Sequence, residues 1–105
     1  MMLSLRDGFL YVDNLRFCFA EQGNGRPELP AGRYEVTTQY AHVRGKTLPD
    51  AVGLGWIGAD RGCDIVLGSV RGRSGVVPQE SLVSRLVAVL EEAQNRGKIV
   101  MLEVE

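Results

Sequence analysis

At 105 residues the chain is sized for one domain around one modest core, so any site must be built on that core. Hydrophobic residues make up 45% and charged residues 24%, proportions that exclude both a disordered chain and one dominated by membrane spans. The 12 basic and 13 acidic residues leave a formal net charge of −1; no global field recruits nucleic acid or an anionic membrane, and binding of a polyanion would need a local patch.

The first segment, MMLSLRDGFLYVDN, lacks the basic stretch and uninterrupted apolar run of a signal peptide, because Arg6 and Asp7 cut its apolar residues into short pieces. A cytoplasmic setting is therefore expected, with Cys18 and Cys63 reduced; two cysteines alone make no zinc site, and no cofactor or metal is expected. Short strands are predicted at 3–5, 9–12 and 15–20, joined by turns at Arg6-Asp7-Gly8 and Asp13-Asn14. In the third, Leu15, Phe17 and Phe19 alternate with Arg16, Cys18 and Ala20, so one face carries the bulky apolar groups and Cys18 points away from it.

EQGNGRPELPAG (21–32) concentrates glycine, proline and polar residues and reads as a loop. RYEVTTQY (33–40) alternates cleanly, Tyr34, Val36, Thr38 and Tyr40 against Arg33, Glu35, Thr37 and Gln39, as a strand with one face in the core and one in water. A connection over 41–50 leads to AVGLGWIG (51–58), a short strand or tight turn, then to a buried strand over 63–68 and a polar glycine-arginine loop over 69–75. A helix is predicted from Pro78, with Glu80 in its first turn and Gly97 as its stop. Leu82, Leu86, Val89, Leu90 and Ala93 recur at helical spacing and form its core stripe; Val83 and Val87 would mark a partner surface only if exposed. IVMLEVE (99–105) closes as a strand with Val100, Leu102 and Val104 on one face. These elements describe a single α+β domain over 1–105: a curved, mostly antiparallel β-sheet or partly open small barrel, with one C-terminal helix packed on it and a final strand.

Leu29-Pro30-Ala31-Gly32-Arg33-Tyr34-Glu35-Val36, followed by Gly62-Cys63-Asp64-Ile65-Val66-Leu67-Gly68, resembles the small bacterial and phage proteins of domain of unknown function 5675. Leu15-Arg16-Phe17-Cys18-Phe19-Ala20-Glu21 is similar to that family's strand ending in an acidic residue before the loop. The resemblance implies a histidine followed by Gly-Asn ahead of Gly-Cys, similar in flavour to the His and Cys of L,D-transpeptidases that exchange acyl groups in peptidoglycan. In this chain the corresponding place reads Gly55-Trp56-Ile57-Gly58, with Trp56 where the histidine would fall and Gly58-Ala59-Asp60 in place of the Gly-Asn portion.

A cysteine nucleophile needs a neighbouring base or a positive environment. Cys63 has Arg61 close in sequence but lies between Asp60 and Asp64, whose charges raise a thiol pKa, and the chain's one histidine, His42, sits about twenty residues earlier. The expected role of Cys63 is packing. The rival reading takes Cys63 as nucleophile, His42 as base and Arg61 as anion or oxyanion partner in a cysteine-dependent acyl transferase or hydrolase acting on cell-wall peptides. Trp56 either walls a small pocket or caps the core. Arg71 and Arg73, flanking Gly72 and followed by Ser74 and Gly75, could cradle an anion, with Arg44 and Lys46 as further cations. The leading expectation is a binding or assembly protein without catalytic activity, with Trp56 to Cys63, including Asp60, as its functional surface. No membrane partner and no general nucleic-acid binding are expected, and an unpaired edge strand would open a route to a homodimer.

Overall fold

Two tight turns set the start of the architecture. Asp7 and Gly8 have φ of 53° and 80°, and Asp13 and Asn14 have 48° and 70°; left-handed pairs of this kind join antiparallel strands with the twist that sheets require. A computed structural model of the chain describes residues 1–22, 29–38, 49–51, 55–59 and 65–105. The turns link β1 (Met2–Arg6), β2 (Phe9–Val12) and β3 (Leu15–Gln22), followed by β4 (Gly32–Thr38), β5 (Pro49–Ala51), β6 (Gly55–Gly58) and β7 (Ile65–Gly68). A hairpin of β8 (Val70–Gly72) and β9 (Gly75–Val77) precedes helix α1 (Glu80–Asn95), and β10 (Val100–Val104) comes last.

Eight strands pair in the order β1-β10-β4-β5-β6-β7-β3-β2, and β2 pairs back onto β1, so the strongly curled sheet closes as a ring. This is an α+β fold, as expected, but the barrel is closed where a partly open sheet was allowed for. Each strand of the ring is thereby paired on both sides, while β8 and β9 form a separate two-stranded sheet. Two ladders are parallel, β1 with β10 and β6 with β7; the other six are antiparallel.

Alternation decides what faces inward. Leu3 and Leu5 on β1 stand beside Leu102 and Val104 on β10, and Val100 beside Val36 on β4; all are buried. The outward residues Arg33 and Glu103, paired across β4 and β10, form an exposed ion pair at 3.0 Å. Leu82, Val83, Leu86, Leu90 and Ala93 of α1 belong to the same core cluster as the inward side chains of the barrel, and Val87 packs against it. Val83 and Val87 therefore join the core and do not form a partner surface. Among the described residues, no helix is long and apolar enough to cross a membrane.

The helix starts at Glu80 rather than Pro78. The Gln79 N–H is donated to the Leu67 carbonyl at 2.9 Å, holding Gln79 in an extended conformation against β7 and delaying the first helical residue. At the other end Gly97 has φ 75°, its N–H reaches Gln94 O at 2.9 Å and the Lys98 N–H reaches Ala93 O at 3.0 Å. That double closure is the glycine stop read from the sequence.

Residues 69–75, expected as a polar loop, begin the β8–β9 hairpin. Val76 is buried while Val70 and Val77, paired across the two strands, are exposed. Gly68 permits the hairpin's approach, since a Cβ there would be driven into the Val77 carbonyl and the Val76 side chain.

Candidate functional site

An irregularity in one ladder creates the most distinctive surface of the described residues. Leu10 pairs with Cys18, but Tyr11 pairs with Arg16, leaving Phe17 as an extra residue in β3. Regular pairing would have sent Arg16 to the same side as Cys18. The bulge instead lets Arg16 oppose Tyr11 on the outer face, the re-aiming that such insertions produce. Cys18 and Ala20 are buried while Phe17 and Phe19 are half-buried, so the phenylalanine side of β3 is the side turned away from the barrel interior.

Phe9 and Phe19, opposite each other on β2 and β3, stack with ring centroids 4.7 Å apart, and Tyr11 meets Phe9 edge-on at 6.3 Å. Each ring of this group carries a guanidinium: Arg16 lies 4.1 Å from the Phe9 centroid, Arg6 4.3 Å from Tyr11, Arg71 5.4 Å from Phe19 and Arg85 5.4 Å from Phe17. Positive charge over the negative face of a ring is attractive, and it fixes long arginine side chains at a surface where they would otherwise sweep freely. The four arginines come from β1, β3, β8 and α1; the fold gathers locally what the chain's net charge conceals.

The arginines are not equivalent. Arg6 faces Glu105 at 3.9 Å, and Arg71 donates to the Gly8 carbonyl at 2.9 Å, tying the β8–β9 hairpin to the first turn. Arg16 and Arg85 are exposed and make no ion pair among the described residues. Beside them lies a cavity of about 230 Å³ walled by Phe9, Phe17 and Phe19, with Ser69 and Leu82 closing its sides. Cys18 is part of the cavity lining, and burial pushes its thiol from 9.0 up to about 12, against smaller lowering effects from the Gly68 backbone and Arg85. At neutral pH that sulfur is a protonated, apolar surface and no nucleophile.

The residues singled out from the sequence fall unevenly on this structure. Cys63, His42, Arg61 and Asp60, together with Arg44 and Lys46, lie outside the described residues. Trp56 lies in β6, its backbone opposite Asp50 of β5. Arg71 is committed to Gly8 and Phe19, whereas Arg73 is exposed in the turn between β8 and β9. Arg16, Phe9, Phe17, Phe19 and Arg85 were not anticipated as a site. The available signal was the density of rings around a single arginine in FLYVDNLRFCF, which needed the bulge to bring Arg16 onto the ring face.

Comparison with family models, with curated proteins and with solved structures finds no match to this chain in any of the three.

Proposed function

We propose that the chain is a binding domain acting without catalysis, and that the outer face of β2 and β3 is where it takes an anionic partner. The observation that carries this reading is the pair Arg16 and Arg85, held 4.1 and 5.4 Å from the Phe9 and Phe17 centroids and in no ion pair among the described residues. Guanidinium groups donate several N–H bonds in a planar fork suited to phosphate or carboxylate oxygens. Stacking on a ring leaves the edge of that fork, where the N–H groups lie, available to a ligand. The domain in this reading works in a reducing cytoplasm, in keeping with the free thiol of Cys18, and is of bacterial or phage origin, which the resemblance to domain of unknown function 5675 supports.

Titration of the isotopically labelled protein with inorganic polyphosphate at low ionic strength tests the assignment. Amide shifts should gather on β2, β3, β8 and the start of α1, and should fade as salt is added. Shifts distributed equally over β4 and β10, or no shifts at all, would remove the face from consideration.

A further inference from the structure

Resting on that reading, we infer that the anionic partner is single-stranded nucleic acid, with one base seated among Phe9, Phe17 and Phe19 and the flanking phosphates held by Arg16 and Arg85. Two other cavities give the contrast that selects this place. The one beside Arg6 and Arg71 is also lined by Asp7, Glu21 and Glu105, carboxylates that repel a phosphate. A larger one of about 500 Å³ at the far end of α1 mixes Asp13 and Glu92 with Arg96 and Lys98 and has no ring in its wall. The cavity beside Arg16 has three aromatic walls and no carboxylate among its described lining residues.

Both halves of the site are used only by a ligand that is flat and apolar at one end and anionic at the other. A nucleotide within a strand has that shape: bases stack on aromatic rings or on guanidinium planes irrespective of sequence, while the backbone tracks the positive charge. An acidic peptide would satisfy Arg16 and Arg85 but leave the aromatic cavity without a role. A duplex keeps its bases stacked inside, where they cannot enter a cavity lined by Phe9, Phe17 and Phe19. The cavity's modest volume, about 230 Å³, suits a single base better than a whole cofactor, for which pockets of roughly 300–1,000 Å³ are usual.

Fluorescence anisotropy with end-labelled oligothymidylate tests this, alongside an abasic sugar-phosphate oligomer of equal length, the matching duplex and polyglutamate of equal charge. Oligothymidylate should bind at least about fivefold more tightly than the abasic oligomer, the contribution expected of one stacked base. Phe17→Leu should remove that advantage. The surface pair Arg16→Ala and Arg85→Ala, checked for folding by circular dichroism, should weaken binding and lower the salt slope by about 0.7 per arginine. Arg96→Ala, at the opposite end of α1, should bind within about twofold of the parent. Equal binding of the abasic oligomer would overturn the base seat while leaving the anionic face standing. Polyglutamate or duplex binding as tightly as the single strand would overturn the nucleic-acid assignment in favour of those partners, and an equal loss in Arg96→Ala would expose the binding as unspecific charge. No binding of any probe at low salt would defeat this inference, with the polyphosphate titration deciding whether the anionic face falls too.

Discussion

The two sides of β3 are built from opposite materials. Cys18 and Ala20 are small and buried, while Phe17 and Phe19 are large and left half-exposed beneath arginines. In most half-buried strands the larger apolar side chains go inward. Here the interior is filled from elsewhere, by Leu3, Leu10, Leu67 and Leu102 from neighbouring strands and by Leu86 and Leu90 from α1. A small barrel fits its taper by alternating small and large inward residues. The bulky rings of β3 are thereby displaced to the surface, where they become a platform for charge.

The largest expected effects lie on the inner side. Leu86 is fully buried, and Leu86→Ala should cost about 2–5 kcal/mol in urea denaturation by leaving a cavity beneath the helix. A value under ~1 kcal/mol would mean that the core is looser than the comparison requires. Ala20→Leu should cost about 1–3 kcal/mol, because a site with no solvent exposure has no room for three further carbons. If the variant were as stable as the parent, the small size of the inner residues would need another cause.

Cys18 sharpens the comparison through pH. Its thiol is raised from 9.0 to about 12 on folding, so between those values the unfolded chain has released a proton that the folded chain still holds. Stability attributable to this residue is fully present below about 9 and is lost as pH climbs toward 12. Over that window the parent should lose stability faster than Cys18→Ala, by up to one proton's worth of slope; parallel profiles would show the sulfur to be solvated. In the Cys63→Ser variant, where Cys18 is the remaining thiol, labelling by a thiol reagent at neutral pH should await unfolding.

The smallest effect belongs to the outer side. A double-mutant cycle between Arg85 and Phe17 should return a coupling of about 0.5–1 kcal/mol, the range for a cation over a ring at an exposed site. Zero coupling, with binding of polyanions retained, would leave the charge of Arg85 acting independently of the ring.

Turn chemistry was the most legible part of this fold. Asp7-Gly8 and Asp13-Asn14 announce themselves because few residue types tolerate left-handed backbone, and Gly97 marks the helix end for the same reason. The clean alternation in Tyr34 and Val36 and in Val100, Leu102 and Val104 assigned inner faces that the structure bears out. In β3 the same alternation could not say which side was inside, because period two distinguishes faces without ranking them, and the insertion at Phe17 breaks the period midway. The β8–β9 hairpin was obscured by Gly72, Arg73, Ser74 and Gly75, whose composition suits a loop and a two-residue turn equally. The arginine-covered ring face was hidden for a further reason: its arginines come from β1, β3, β8 and α1, and only tertiary structure makes them neighbours.

The seam of the barrel has a kinetic consequence. Met2 stands beside Met101, and β10 also supplies the pairing partner of β4, so one late strand completes two ladders whose partners are distant in sequence. Closing so long a loop brings an entropic cost before any reward, which places folding among the slower topologies, on the order of milliseconds to seconds. Until β10 docks, β1 and β4 each present an open row of amides and carbonyls, and an intermediate with two such margins invites association between chains. Refolding yield should therefore depend on protein concentration even though the finished ring has no free margin to offer.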